Sequence, residues 1–161
     1  MGATQSIRIA APREHVYRVI TDFGRYPEFL PEIKGVTIDE ETKAEVTVTF
    51  SAQIFVPLHY TLRFRLAPPE LMEWGWVKGQ VMRDNSGSWR LKATRDGGTE
   101  ATYTVDIRFG PLVPGMVSET LAMSTLPSTL KRFKKRAELL LPDPKNGTHG
   151  DAKKRTQRTA R

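Results

Sequence analysis

Apolar and polar residues alternate along several segments between Ile33 and Phe109, and this pattern restricts the possible folds more than any other feature of the sequence. In the segment 100–109, residues Ala101, Tyr103, Val105 and Ile107 alternate with polar neighbours, and segments 45–51 and 58–66 show the same period of two. Successive side chains of a strand point to opposite faces of a sheet. The pattern therefore predicts an antiparallel sheet with one buried and one solvated face.

Turn-forming residues divide this region into strands. The segments 68–70, 84–87 and 96–98 are rich in Pro, Asp, Asn and Gly, and they indicate turns. An additional short strand is predicted at the N-terminus, so the sheet would have seven strands. The predicted strands are 5–10, 33–40, 44–53, 57–67, 71–79, 88–94 and 100–110.

Helical patterns lie on both sides of the predicted sheet region. After Pro12, apolar residues recur at helical spacing as far as Phe23, and Gly24 is typical of a helix end. Segment 25–31 then predicts a second short helix or turn that packs inward. The segment 116–141 predicts a long amphipathic helix, in which Pro127 should cause a kink or a division.

The charge of the chain is unevenly distributed. The protein has 161 residues and a net charge of +7, and a net +4 of this belongs to residues 142–161, where no large apolar residue occurs. We therefore expect one domain at 1–141 followed by a disordered basic tail at 142–161. The sequence contains no cysteine, which excludes disulfides, thiol nucleophiles and cysteine-ligated metals. No signal peptide or membrane span is evident, so we expect a cytoplasmic protein.

Several motifs along residues 4–141 resemble one superfamily. They are Ala11-Pro12 leading into 16–22, the segment Arg25-Tyr26-Pro27-Glu28-Phe29-Leu30-Pro31, the segment Gly87-Ser88-Trp89-Arg90-Leu91, and residues 96–103. With them the chain resembles the polyketide cyclase/START-like (SRPBCC) superfamily, and is most similar to its coenzyme Q-binding protein and ribosome-association toxin branch. The resemblance implies an α+β helix-grip fold. In it a curved seven-stranded antiparallel sheet wraps around a long C-terminal helix, with two short helices between strands 1 and 2 and a ligand cavity between sheet and helix.

The residues expected on the inner faces are large, and many are aromatic. Each one taken singly is also explained as an ordinary core residue. Taken together they suit an apolar ligand, and methionines on the long helix suit an adaptable wall. The predicted ligand-binding residues are Tyr26, Phe29, Tyr60, Leu62, Phe64, Trp74, Trp76, Trp89, Tyr103, Val105, Met116 and Met123.

Catalytic groups are scarce in the sequence. The three histidines, His15, His59 and His149, lie at positions that predict surface exposure, and no spacing indicates a triad, a metal site or a bound cofactor. Tyr60 and Tyr103 are the inward polar candidates for orienting a ligand carbonyl. We therefore predict a carrier or binding protein for a quinone, isoprenoid lipid or polyketide, and we predict no catalytic residues. A polyketide cyclase or aromatase is the alternative.

A basic cluster on the predicted long helix gives a third hypothesis. Lys131, Arg132, Lys134, Lys135 and Arg136, together with the tail, could contact a ribosome, RNA or an anionic membrane surface. A solvated helix face explains the same charges. No motif for specific DNA recognition is present.

Overall fold

The computed structural model describes residues 2–120 and 124–141. Seven strands form one antiparallel sheet, and three α-helices and a 3-10 helix accompany it. The strands are β1 (Gly2–Ile9), β2 (Ile33–Glu41), β3 (Glu45–Gln53), β4 (Pro57–Ala67), β5 (Leu71–Gly79), β6 (Met82–Ala93) and β7 (Thr99–Phe109); the helices are α1 (Arg13–Thr21), the 3-10 helix (Phe23–Glu28), α2 (Gly115–Thr120) and α3 (Leu126–Leu139). The predicted α+β helix-grip architecture is confirmed, including the two short helices between the first two strands.

The sheet has the order β1-β7-β6-β5-β4-β3-β2. Strands β2 to β6 each pair with the next strand along the chain, so β2 to β7 form a simple meander of six strands. The exception is β1, which pairs with β7 although the two strands are far apart in the sequence. Gly2 lies opposite Asp106, and Ile9 lies opposite Thr99. The alternation in the sequence gives each inner strand one apolar face, and in this sheet those faces lie on the same side.

The core lies between the inner face of the sheet and the helices. From α3, Leu130, Phe133 and Ala137 are buried at the three- and four-residue spacing expected of one helix face. Val16 and Ile20 of α1 are buried on the same side. Pro127 occupies the first turn of α3, where a proline ring is tolerated, and α2 precedes α3 in the chain.

One predicted turn is wrong. Residues 84–87 lie inside β6, which is twelve residues long. The chain reverses earlier, at Gln80 and Val81, where Val81 has φ of 70° and the Met82 amide donates to the Gln80 carbonyl at 2.7 Å. A β-branched residue seldom adopts a positive φ, so composition did not indicate this turn.

The strands β5 and β6 separate soon after they begin to pair. Their register extends from Leu71 opposite Arg90 only to Trp74 opposite Gly87. Beyond that point β5 continues along β4, and β6 continues along β7. The sheet therefore has a gap in its pairing between β5 and β6, and Trp74 is the last β5 residue that pairs with β6.

Candidate functional site

A cavity of about 140 Å³ lies between the inner face of the sheet, the 3-10 helix and the first half of α3. Its wall is mainly aromatic and aliphatic, with few polar groups. An apolar cavity of about 150 Å³ is large enough to bind a single aromatic ring. The cavity as it stands therefore matches a single small ring, or one part of a longer molecule.

Seven of the residues predicted from the sequence line this cavity, and they come from β4, β5, β6, β7 and the 3-10 helix. They are Tyr26, Tyr60, Leu62, Phe64, Trp74, Trp89 and Tyr103. The alternation of the strands correctly placed these side chains on the inner face. That they bind a ligand stays a prediction.

Four predicted residues do not line the cavity. Trp76 folds over Gly79 instead, since a β-carbon on that glycine would lie 2.6 Å from the indole ring. Phe29 packs on Phe133, and Val105 is fully buried in the core. Met116 is 76% exposed on α2. Met123 lies outside the described residues.

Asn85 also lines the cavity, although its sequence context predicted a turn. Its side chain is buried, and its Oδ1 accepts a hydrogen bond of 3.0 Å from Trp74 Nε1. Its Nδ2 lies 3.7 Å from Met82 Sδ and donates to it. The Asn-Ser-Gly sequence suggested a turn, so nothing local indicated that this amide orients an indole inside the cavity.

The sequence indicates some of the other lining residues only as core positions. The helical spacing of apolar residues in α3 indicates that Leu126 and Phe133 point inward, and the alternation of β7 indicates the same for Ile107 and Phe109. The remaining positions had no distinctive pattern. The cavity residues beyond the predicted set are Leu30, Glu32, Ile33, Ile54, Met72, Asn85, Ile107, Phe109, Thr125, Leu126, Thr129 and Phe133.

Three tyrosines contribute hydroxyl groups at or near the cavity. The Tyr26 hydroxyl donates a short hydrogen bond to the carbonyl of Ile20. Among the described residues, the hydroxyls of Tyr60 and Tyr103 have no hydrogen-bond partner, and both side chains are half-buried in the cavity wall. These two hydroxyls are therefore free to bond a molecule inside the cavity.

Burial raises the pKa of both Tyr60 and Tyr103 well above that of a solvated tyrosine. The nearby Glu32 carboxylate raises the pKa of Tyr60 further, and Tyr60 and Glu32 act in the same direction on Tyr103. Both phenols are consequently neutral at physiological pH and keep a proton to donate.

A second, more polar pocket of about 390 Å³ adjoins the cavity. The two share Glu32, Ile54 and Thr125 in their walls. In the outer pocket Arg132 Nη1 lies 3.4 Å from Glu32 Oε2. An ion pair thus stands at the boundary between the apolar cavity and the outer pocket.

The cations predicted to bind a partner are largely engaged within the protein. Arg132 pairs with Glu32, Lys134 contacts Glu138 at 2.6 Å, and Arg136 contacts Glu28 at 2.8 Å. Arg136 also lies over the Phe29 ring, 5.2 Å from its centroid. Lys131 and Lys135 are exposed and have no ion pair within the described part of the chain. Two of the five cations, Arg132 and Arg136, therefore join α3 to residues outside it through ion pairs.

The two histidines in the described part of the chain do not line the cavity. His15 bonds the carbonyl of Ala137 through Nε2 at 2.8 Å and so joins α1 to α3, whereas His59 is exposed and His149 lies outside the described residues. Within residues 2–120 and 124–141, no group of three or more His, Cys, Asp or Glu side chains could hold a metal ion. None of the helices in this part of the chain is long and apolar enough to cross a lipid bilayer.

Comparison with known proteins identifies relatives of this fold. A family model described as polyketide cyclase / dehydrase and lipid transport matches residues 9–134. No curated protein matches the sequence significantly.

Solved structures with low sequence identity share the fold. A START superfamily protein from Mycobacterium smegmatis has a TM-score of 0.76 at 20% identity, and the match covers 87% of this chain and 99% of that one. The Zhui aromatase/cyclase from a Streptomyces species has a TM-score of 0.75 at 19% identity, with 86% and 93% covered. A STAR-related lipid transfer protein from Xanthomonas axonopodis has a TM-score of 0.73 at 16% identity, with 84% and 85% covered.

Proposed function

Because this chain belongs to the polyketide cyclase, dehydrase and lipid transport family, we propose that it binds and carries a hydrophobic small molecule in the cavity between the sheet and α3. The observation that supports this most directly is the cavity itself, which has an aromatic and aliphatic wall and adjoins a polar outer pocket. Such a combination suits a ligand with an apolar body and a polar end. A quinone, an isoprenoid lipid and a polyketide all fit this description.

A variant that fills the cavity tests the proposal. Thr129 lines the cavity from α3, and a tryptophan there would occupy the space that the ligand needs. Lys135 is exposed on the same helix, so Lys135→Trp is a matched control for adding an indole to α3. The readout is the fluorescence of the neutral apolar dye N-phenyl-1-naphthylamine, whose phenyl ring is of the size that the cavity admits and whose fluorescence rises in an apolar site.

We expect the unmodified protein and Lys135→Trp to bind the dye with similar affinity, and Thr129→Trp to bind it at least tenfold more weakly. Mass spectrometry of organic extracts from the purified proteins should show a co-purified molecule that is lost in Thr129→Trp alone. Equal dye binding by all three folded proteins would show that this cavity is not the binding site.

A cyclase or aromatase is the second candidate, and the fold shared with the Zhui aromatase/cyclase favours its consideration. Proton abstraction would require a base at the cavity, and Glu32 is the carboxylate in the described wall. A cyclase would convert a linear poly-β-ketone to an aromatic product with a new ultraviolet absorption, and Glu32→Gln would abolish this. Binding without conversion would support the carrier.

Docking on a ribosome or an anionic membrane surface stays a separate hypothesis. The cations available for it in the described region are Lys131 and Lys135, which are exposed and have no ion pair there. Co-sedimentation with ribosomes and with anionic vesicles, before and after changing both lysines to glutamate, would test it.

A further inference from the structure

Two tyrosine hydroxyls in the cavity have no partner in the described part of the protein, and they restrict the chemistry of the ligand. We propose that the cavity selects uncharged ligands with a carbonyl oxygen, and that Tyr60 and Tyr103 donate hydrogen bonds to that oxygen. This inference rests on the proposed function, namely that the cavity holds a hydrophobic small molecule.

Packing holds both tyrosine rings in place before a ligand arrives. Tyr60, from β4, lies against Phe50 with ring centroids 5.4 Å apart. Tyr103, from β7, contacts Trp89 at 4.8 Å and Trp74 at 5.6 Å. Since the rings are held by aromatic neighbours, little conformational freedom is lost when their hydroxyls bond a ligand.

Both hydroxyls act as hydrogen-bond donors. Burial and the Glu32 carboxylate raise the pKa of Tyr60 and of Tyr103, so the phenols stay protonated. A ligand that displaces solvent from these donors without offering an acceptor leaves them unpaired, which is unfavourable. A carbonyl oxygen has two lone pairs and can accept a bond from each hydroxyl, whereas a pure hydrocarbon can accept none.

The charges around the cavity favour a neutral ligand. The described wall contains no lysine or arginine, and the single ionic side chain in it is the carboxylate of Glu32. Arg132 lies in the outer pocket and is already paired with Glu32 at 3.4 Å. A carboxylate ligand would have to lose its hydration without a compensating cation and would also face Glu32, which is strongly unfavourable.

Three matched ligands separate these effects. Tetralin is the hydrocarbon, 1-tetralone adds a carbonyl to the same two-ring skeleton, and tetralin-1-carboxylate adds a negative charge. The aromatic ring of this skeleton is of the size that the cavity admits. Binding can be followed by NMR through the indole N–H signals of Trp74 and Trp89, which line the cavity, with the Trp76 signal as an internal reference outside it.

We expect 1-tetralone to bind about threefold to thirtyfold more tightly than tetralin, the range for one or two hydrogen bonds to a neutral acceptor. Tetralin-1-carboxylate should leave the Trp74 and Trp89 signals unchanged at the same concentrations. Tyr60→Phe and Tyr103→Phe should each weaken the binding of tetralone about threefold to tenfold, and each should leave that of tetralin within about twofold.

Tyr17→Phe is the matched control for removing a tyrosine hydroxyl. Tyr17 donates to the carbonyl of Leu71 at 2.8 Å and does not line the cavity. Its substitution should therefore lower stability without changing the ratio of tetralone to tetralin affinity.

The possible outcomes distinguish this inference from the proposed function. If none of the three ligands bound, hydrophobic binding in this cavity would itself be overturned. If tetralone and tetralin bound equally, or if the Tyr60 and Tyr103 variants weakened both to the same extent, hydrophobic binding would stand and the carbonyl preference would be wrong. Binding of the carboxylate as tight as that of the ketone would refute the selection for neutral ligands.

Discussion

Gly87 determines where the Trp74 indole can lie. A β-carbon at position 87 would stand 2.4 Å from the Trp74 ring and 2.2 Å from the carbonyl oxygen of Thr104. Both distances are far below van der Waals contact. The absence of a side chain on β6 therefore allows the indole to cross the end of the β5–β6 pairing and reach Asn85.

We predict that Gly87→Ala displaces Trp74 and lowers the free energy of unfolding by about 1–3 kcal/mol, the usual cost of overpacking. Gly75 is the matched control, because it is the neighbour of Trp74 in β5 and a β-carbon there meets nothing within 4 Å. Gly75→Ala should change stability by less than about 1 kcal/mol. Urea denaturation and near-ultraviolet circular dichroism measure the two effects, and equal behaviour of both variants would contradict the prediction.

The same pair of residues shows what the sequence can and cannot indicate at this scale. The alternation of β5 was sufficient to predict that Trp74 points inward. Nothing local indicated that Asn85 would be its hydrogen-bond partner, since that contact depends on how far β6 extends before it meets β5. Asp, Asn, Ser and Gly are typical of turns, and here the packing of one indole outweighs that preference.

At the scale of elements, the second half of α3 is attached to the domain by polar contacts. Lys134 Nζ donates to the Arg8 carbonyl at 2.8 Å, and the Glu138 carboxylate accepts from the Ala10 amide at 2.9 Å. The hydrogen bond from Lys134 and then that from Ala10 lower the pKa of Glu138. These contacts join α3 to the end of β1.

We predict that Glu138→Gln lowers the free energy of unfolding by about 1 kcal/mol near pH 7. Because the pKa of Glu138 is lower in the folded state, its contribution is complete above the unfolded pKa of about 4.3 and disappears as the pH falls through the folded value. The difference between the two proteins should therefore shrink between about pH 5 and pH 3.

Thermal unfolding at several pH values provides the measurement. Glu41, exposed on β2, is a suitable control position, and Glu41→Gln should show no comparable loss at neutral pH. A Glu138→Gln deficit that stayed constant down to pH 3 would show that the ionised carboxylate is not responsible.

The order of elements was predictable from periodicity because six strands follow one another in a meander. The periodicity predicts a helix over 116–141 with a kink or division at Pro127, whereas Pro127 lies in the first turn of α3 and α2 covers Gly115–Thr120. The same pattern places Met116 on the ligand side, but its side chain is 76% exposed. Met116 lies outside α3, so the periodicity of α3 does not determine which way its side chain points.

Considered as a whole, the domain has two different ends. At one end the bonds of Lys134, His15 and Glu138 hold α3 against β1 and α1. At the other end lie the cavity, the β7–α2 connection with Leu112 96% exposed, and the start of α3. Within the described residues, polar contacts to β1 and α1 hold α3 at the first end, whereas an exposed connection and a cavity lie at the other. We therefore expect the cavity end to open more readily.

Hydrogen exchange can detect this difference. Backbone amides that are held by few tertiary contacts exchange through local opening, and amides of a well-packed core exchange only on wider unfolding. We predict faster exchange in Gly115–Thr120 and at the start of α3 than in residues 132–139.

On addition of 1-tetralone, protection should increase at the cavity end, around Phe109 and residues 125–129, because a bound molecule adds contacts there. Residues 134–139, which do not line the cavity, should change little. A uniform increase over the whole domain would show that the ligand stabilises only the global fold, and that the cavity end does not open independently.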